Sequence, residues 1–289
     1  MSISIRAYAK INLLLDILSK LDNGYHEVFN IMQSVGLYDD VTVSQDNSGK
    51  ISVSCNNSDI PSDDKNIAHK ATLAFFEKTG IEKCGINISI EKNIPHCAGL
   101  GGGSADAAAV IIALDRLFGT KLDEKSIISI ASEIGADVPF CALGGTMLAQ
   151  YTGALVTHLP DLDERYVVIV KPDEKISTAD AYSSFDNAER VRHLDTRNML
   201  FAVIENNWKT VSEKVGNVFE QFIEVTDRAV IKGIMRKYHC LCACMSGSGP
   251  SIFGIFDTKE EAEACLCEVK KSFCNSYLCT TVNKGFLIL

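Results

Sequence analysis

Gly99-Leu100-Gly101-Gly102-Gly103 puts four glycines into five residues, between an alternating apolar run at 86–90 and a helix-spaced apolar run from Ala107 to Phe118. That order reads as strand, glycine loop, helix. Glycine admits positive φ and lets a backbone approach a ligand with no Cβ in the way. The helix that follows offers unpaired N–H groups and the positive end of its dipole, which together favour phosphate. A tight turn without a ligand has little use for three glycines in succession. The segment Pro95-His96-Cys97-Ala98-Gly99-Leu100-Gly101-Gly102-Gly103-Ser104-Ala105 is therefore the candidate phosphate loop, with the Ser104 hydroxyl available to cap the helix or to face a phosphate or Mg²⁺.

Known phosphate loops of other kinds do not fit. The chain has no G-x-x-x-x-G-K-[ST], so it is not a P-loop protein. The run from Gly99 to Ser104 lacks the last glycine of the dinucleotide fingerprint and lies in mid-chain. His193-Leu194-Asp195 lacks the neighbours of a protein-kinase catalytic loop, and no D-F-G occurs. His26-Glu27-Val28-Phe29-Asn30 has Asn where a zinc-protease helix needs its second His.

Composition narrows the class further. With 289 residues, about two domains are expected. The net charge of −9 argues against a nucleic-acid partner, which calls for a basic face. Eleven cysteines include no Cys-x-x-Cys, so no zinc ribbon or redox pair is indicated. Cys240, Cys242 and Cys244 alternate as on one strand face and read as small buried hydrophobes of a reducing compartment. The first residues do not have the pattern of a signal peptide. Ala107–Leu114, the longest apolar run, is too short to cross a bilayer. A cytoplasmic protein with no membrane partner is the expectation.

Along the chain, Val41/Val43 and Ile51/Val53 alternate on either side of a turn-rich stretch and predict a hairpin. Ile67, Ala71, Ala74 and Phe75 predict a helix closed by Gly80; Ile127, Ile128, Ala131 and Ile134 predict another that stops at Gly135. The second half reads β-α-α-β-β-α-β, close to the ferredoxin-like split βαβ arrangement. A boundary near Pro160 gives domains 1–157 and 158–289.

Two more clusters carry chemistry. In Gly135-Ala136-Asp137-Val138-Pro139 a single carboxylate stands in an apolar segment, as a helix cap or as a general base held where water is scarce. Lys10 and Asn12 share one face of a strand; taken alone that face reads as solvated, though the Lys stem can equally reach a neighbouring anion. A third glycine loop, Met245–Ser251, joins two late strands and in isolation is only a connection.

Together, the Ala7–Ile17 segment, Asp22–Val28, Ile94–Ala108, Gly135–Phe140 and Ser246–Phe256 resemble, in order, the GHMP small-molecule kinases. Asn23-Gly24-Tyr25-His26 and Gly135–Pro139 select a branch that phosphorylates a cytidine-diphosphate-linked polyol. The resemblance implies an α+β two-domain fold, ribosomal-protein-S5-like at the amino end and ferredoxin-like at the carboxyl end. It implies ATP and Mg²⁺, a small-molecule cytidine diphosphate substrate, and a monomer or homodimer. Asp137 then matches the base and Lys10 its charge partner. Pro95–Ala105 matches the ATP phosphate loop, with Ser104 toward the metal and Asn66 near the adenine. Asn12, Tyr25, His26, Thr178, Tyr182 and Gly247 match substrate contacts, Tyr25 stacking on the cytosine and His26 hydrogen-bonding to it. Two departures stand out: Ala105 replaces a usual second serine, and His96-Cys97 is unusual in such a loop. Other GHMP kinases, acting on mevalonate-type acids, homoserine or sugars, are the competing enzymes. A catalytically silent nucleotide-binding regulator is the competitor from another class.

Overall fold

The computed structural model describes residues 1–289. Two long strands, β1 (Ser2–Lys20) and β2 (His26–Asp46), pair antiparallel and organise the first sheet. β1 alternates between more and less buried positions at its start, then is buried without interruption from Ala9 to Ile17 because protein covers both faces. Lys10 and Asn12 lie in that stretch, so the solvated reading of their face gives way to a buried one. Register shifts between Tyr8 and Ala9 and between Asn12 and Leu14 bracket the two residues, and such bulges re-aim side chains next to functional sites.

Next come β3 (Ile51–Cys55), α1 (Ile67–Thr79) and β4 (Gly85–Glu91). The expected hairpin is not formed. β4 inserts between its two arms, pairing antiparallel with β2 and parallel with β3. Crossing over through α1 lets β4 use both of its hydrogen-bonding edges, which a simple β2–β3 hairpin would have left open. Asn66 caps α1 by accepting the Ala68 amide at 2.8 Å, and Gly80 closes it at φ 69°. The cap contributes about 1 kcal/mol.

After the glycine loop come α2 (Gly102–Phe118), α3 (Glu124–Ile134) and α4 (Val138–Leu143). α2 is buried continuously from Ala105 to Asp115, an apolar helix at the centre of its domain. It packs on β1 and β2 with α1, α3 and α4 around it. β5 (Thr146–Tyr151) pairs with the first half of β2, and β6 (Leu155–His158) with β5.

A second sheet follows. β7 (Tyr166–Val170) is succeeded by α5 (Thr178–Asp186), α6 (Thr196–Ile204), α7 (Trp208–Lys214), the two-residue β8 (Gly216–Asn217), a 3-10 turn at Val218–Gln221, and α8 (Arg228–Lys237). Then come β9 (Cys242–Met245), β10 (Ile252–Phe256), α9 (Lys259–Val269), β11 (Ser276–Thr280) and β12 (Phe286–Ile288). The strand order β11-β7-β10-β9, antiparallel throughout, with α8 and α9 packed on it, is the ferredoxin-like arrangement. The α+β class is as the sequence predicts.

We propose the domain division at 157/158, at the last residue of β6. Two pieces of the later half return to the first sheet: β8 runs parallel to β1 at Leu14–Leu15, and β12 pairs with Ile5–Ala7. No helix is long and apolar enough to cross a membrane. The cysteines are all free. Burial pushes the thiols of Cys242 and Cys244 far above their ordinary range, and no group of His, Cys, Asp and Glu side chains is placed to hold a metal ion.

Candidate active site

The glycine loop leaves β4, turns at Cys97 (φ 51°), Gly99 (φ 73°) and Gly101 (φ 72°), and delivers the chain into α2. Gly101 occupies the cap position and provides no side-chain cap; the first turn carries no acidic residue. The leading amides of α2 are thus left to an external anion. Ser104 lies in that first turn, and its hydroxyl has no partner within the protein. It is not the helix cap. Ala98, Leu100 and Ala105 are buried on the loop's inner side, Pro95 is half-buried, and His96 and Cys97 are exposed, with Cys97 Sγ 3.0 Å from His96 Nε2. Burial, then Lys92, lower the His96 pKa below its usual value.

Beneath this loop runs β1. The Lys10 amide donates to the Leu100 carbonyl at 3.0 Å, binding strand to loop. Lys10 Nζ donates to Asn12 Oδ1 at 2.8 Å and lies 3.5 Å from Asp137 Oδ2. The lysine side chain is 4% exposed and the aspartate 35%, so the cation is fixed inside and the carboxylate is offered to a ligand. Asp137 stands at the cap position of α4 without a side-chain cap bond, followed by Pro139 in the first turn. The carboxylate thus holds a caplike place without making a cap bond, and apart from Lys10 it stays open to a ligand.

The third glycine loop closes over the same point. Asn12 Oδ1 also accepts from the Gly247 amide at 2.7 Å and from Ser246 Oγ at 3.2 Å, while its Nδ2 donates to Asn30. Ser246 Oγ donates to the Gly99 carbonyl at 2.9 Å. A Cβ on Gly99 would sit 2.1 Å from the Ser246 carbonyl oxygen, so only glycine fits where the two loops interlock. Asn217 holds the far side through bonds to the Met245 and Gly247 carbonyls. Asn12, expected against the substrate, is 1% exposed, and its side chain ties Lys10 to the third loop. The reason is the crowd of donors converging on its carbonyl.

A separate aromatic cluster stands at the other end of β1. Tyr25 is 64% exposed, on the turn before β2. His26 is buried, stacked on Tyr182 at 4.7 Å and edge-on to Phe185 at 5.9 Å, with Nε2 2.7 Å from Asp186 Oδ1. Burial, and after it Asp137, push the Tyr182 hydroxyl up to about 12. Thr178, the first residue of α5, lies 3.2 Å from Ser248 Oγ on the third loop. Asn66 spends its amide on Ala68 and Pro61. The next residue, Ile67, puts a methyl 3.6 Å from where a Gly103 Cβ would be, which sets Asn66 beside the phosphate loop.

Lys10, Asp137, Ser104 and Gly247 are therefore brought together around the loop. Tyr25, His26 and Tyr182 form the second group, Thr178 links the two, and Asn66 stands at the rim. Sequence reading passed over Asn217, Phe185 and Asp186, which carry no local signal. It also passed over Lys92, although Lys92 and Asp106 flank the glycine cluster. Concavities of about 330 and 300 Å³ elsewhere contain neither Lys10 nor Asp137.

An open helix amino terminus facing a buried lysine and an exposed aspartate suits phosphoryl transfer, and comparison with known proteins gives the chain a class. The family described as GHMP kinases N terminal domain matches residues 66–145, and GHMP kinases C terminal matches 202–275. A 4-diphosphocytidyl-2-C-methyl-D-erythritol kinase of Caldicellulosiruptor saccharolyticus is 40% identical over 98% of both chains. One of Clostridium tetani is 40% identical over 96% of this chain and 99% of its own. A crystal structure of 4-(cytidine 5'-diphospho)-2C-methyl-D-erythritol kinase superposes with TM-score 0.76 at 27% identity, covering 96% of this chain and 98% of that one. A homoserine kinase from Cytophaga hutchinsonii reaches TM-score 0.80 at 22% identity, covering 100% of this chain and 97% of its own, and so shares the fold alone. The chain belongs to the GHMP kinases and, within them, to the family of the 4-diphosphocytidyl-2-C-methyl-D-erythritol kinases. It is a small-molecule kinase.

Proposed function

We propose that the chain transfers the γ-phosphoryl group of ATP to the 2-hydroxyl of 4-diphosphocytidyl-2-C-methyl-D-erythritol, a step toward isoprenoid precursors. The observation that carries this reading is the Lys10–Asp137 pair, 3.5 Å apart, facing the uncapped start of α2. Full-length identity of 40% to kinases of that name supports the substrate; the fold by itself would suit homoserine equally.

In this reading the β and γ phosphates rest on the Gly99–Ser104 backbone, with the adenine beyond Asn66. Asp137 accepts the proton of the 2-hydroxyl as its oxygen attacks the γ-phosphorus; the bond to the β,γ-bridging oxygen breaks and ADP leaves. Lys10 orients the carboxylate and offsets negative charge on the transferring group. Phosphoryl transfer asks a protein mainly for such placement and charge stabilisation. Tyr25 stacks on the cytosine and His26 reads its edge, while Thr178, Tyr182 and Gly247 line the path to the polyol.

Mg²⁺ fits one part of this site. The Ser104 hydroxyl is unpartnered in the first turn of α2, and no cluster of acidic side chains is available to hold a resident metal. The ion would be carried by the nucleotide, Ser104 and water. When bound it neutralises charge on the β and γ oxygens.

We further take the protein to work in the cytoplasm as a monomer or homodimer, with neither nucleic acid nor membrane as partner. The deciding experiment is a coupled ADP-release assay with Mg-ATP and 4-diphosphocytidyl-2-C-methyl-D-erythritol, run beside mevalonate, homoserine and galactose. Release with the cytidylyl substrate alone is expected. Release with another alcohol would remove the cytosine assignment, and silence with all four in a protein that binds ATP would favour a regulator.

A further inference from the structure

A second buried lysine lies beneath the glycine loop. Lys92 directly follows β4, and its side chain is 4% exposed. Its Nζ is shared by two buried carboxylates, Asp39 on β2 and Asp106 on α2, the latter at 2.7 Å. Asp39 uses its other oxygen to accept the amides of Asn93 at 2.6 Å and Ile94 at 2.8 Å. The cluster thus grips the residues that lead into the loop and the helix that leaves it.

Contact with the loop is direct. A Cβ on Gly102, the first residue of α2, would sit 3.1 Å from Lys92 Nζ and 3.0 Å from the Ile94 Cγ2 methyl. The ammonium therefore sets how deep the start of the helix can settle. A second observation is independent of this one: Asp106 Oδ1 is buried and has no hydrogen-bond partner. Two buried carboxylates around one cation, with an oxygen left unsatisfied, are poor material for stability, since apolar side chains of similar volume commonly do as well or better.

We propose that Lys92 is a positioning residue for phosphoryl transfer: clamped between Asp39 and Asp106, it fixes the place where the α2 amino terminus meets the nucleotide's phosphates. Its charge is already neutralised by Asp39 and its ammonium shared with Asp106, so it acts through geometry and not as another cation for ATP. Lys10, on the opposite side of the loop, keeps the role of facing the reacting groups. This rests on the kinase reading above.

Two variants test it. Lys92→Met combined with Asp106→Asn removes the cation together with the carboxyl group that shares it and leaves Asp39 with its two amide donors. Lys92→Arg keeps the charge but presses a larger group toward Gly102. Circular dichroism melts establish that each is folded, and calorimetric titration with Mg-ADP and with adenosine reads the site. Both variants are expected to lose ADP affinity, the double variant by about tenfold or more, the worth of one hydrogen bond to a charged group. Adenosine affinity is expected to stay unchanged. In turnover, KM for ATP rises while KM for the alcohol holds. Folded variants that bind ADP within about twofold of the parent protein would overturn the proposal, as would equal losses for ADP and adenosine. A parent protein that binds no ADP would instead refute the kinase site itself, so the two failures are distinguishable.

Discussion

Lys10 Nζ lies 3.5 Å from Asp137 Oδ2, with the lysine sealed in the protein and the aspartate open to the cleft. That asymmetry divides the labour. The buried partner is held by Asn12 and cannot wander, whereas the exposed partner can receive a substrate hydroxyl. Asp137→Asn is expected to lower kcat by about 10²–10⁴, the usual worth of a placed general base, while Mg-ADP binding persists. A variant with parental turnover would remove Asp137 as base.

Tyr25 projects into solvent beside the His26–Tyr182 stack. Base-on-aromatic stacking is worth about 1–3 kcal/mol, so Tyr25→Ala is expected to raise KM for the cytidylyl substrate by roughly 5–150-fold with KM for ATP unmoved. Steady-state kinetics with each substrate varied in turn checks this, and an unchanged cytidylyl KM would contradict stacking at this position.

Gly99 tests the interlock of the two loops. A methyl there would collide with the Ser246 carbonyl on a backbone already at φ 73°. Gly99→Ala is expected to destabilise the fold by about 1–3 kcal/mol, the cost of overpacking, and to weaken ATP and alcohol binding together because both loops shift. Denaturant melts and paired KM values measure it; loss confined to one substrate would count against the interlock.

Asp106 gives stability a pH dependence. Burial raises its carboxyl to about 8, with Lys92 opposing the rise and Asp39 adding to it, against about 3.9 in an unfolded chain. The native state then holds the proton that the unfolded state has released between those values. Stability contributed by this group is full below about pH 4, declines as pH rises, and is gone above about pH 8. Asp106→Asn is expected to flatten that decline in Tm measured from pH 5 to 9. Parallel profiles for the two proteins would show that Asp106 does not titrate this way.

Sequence reading located the loop well because each step of it is local. Glycine at 99, 101, 102 and 103 has no side chain to conceal its purpose, and the helix-spaced run after it defines where the dipole points. Gly80 marked a helix end for the same reason, adopting positive φ. The hairpin failed because Val41, Val43, Ile51 and Val53 show that strands exist but not which edges meet. Their partner, β4, lies some thirty residues further on and takes both edges. Asn12 shows the limit at a single residue. Its strand face was readable, yet the donors from Lys10, Ser246 and Gly247 that bury its amide come from both halves of the chain.

What the sequence determined alone was the chemistry on offer: a glycine-led helix start, a lone carboxylate beside Pro139, a lysine on a strand, and an aromatic pair at Tyr25-His26. Helix and strand periods, glycine φ and dipoles act within a few residues, so they are written in order along the chain. Tertiary structure decided which of these act together. Only packing brings Asp137 to Lys10, Ser246 to Gly99, Asp186 to His26, and Asp39 to Lys92. Pair distances depend on how sheets and helices settle against one another, and burial alone turns the solvated-looking face of β1 into the dry floor on which Lys10 is held.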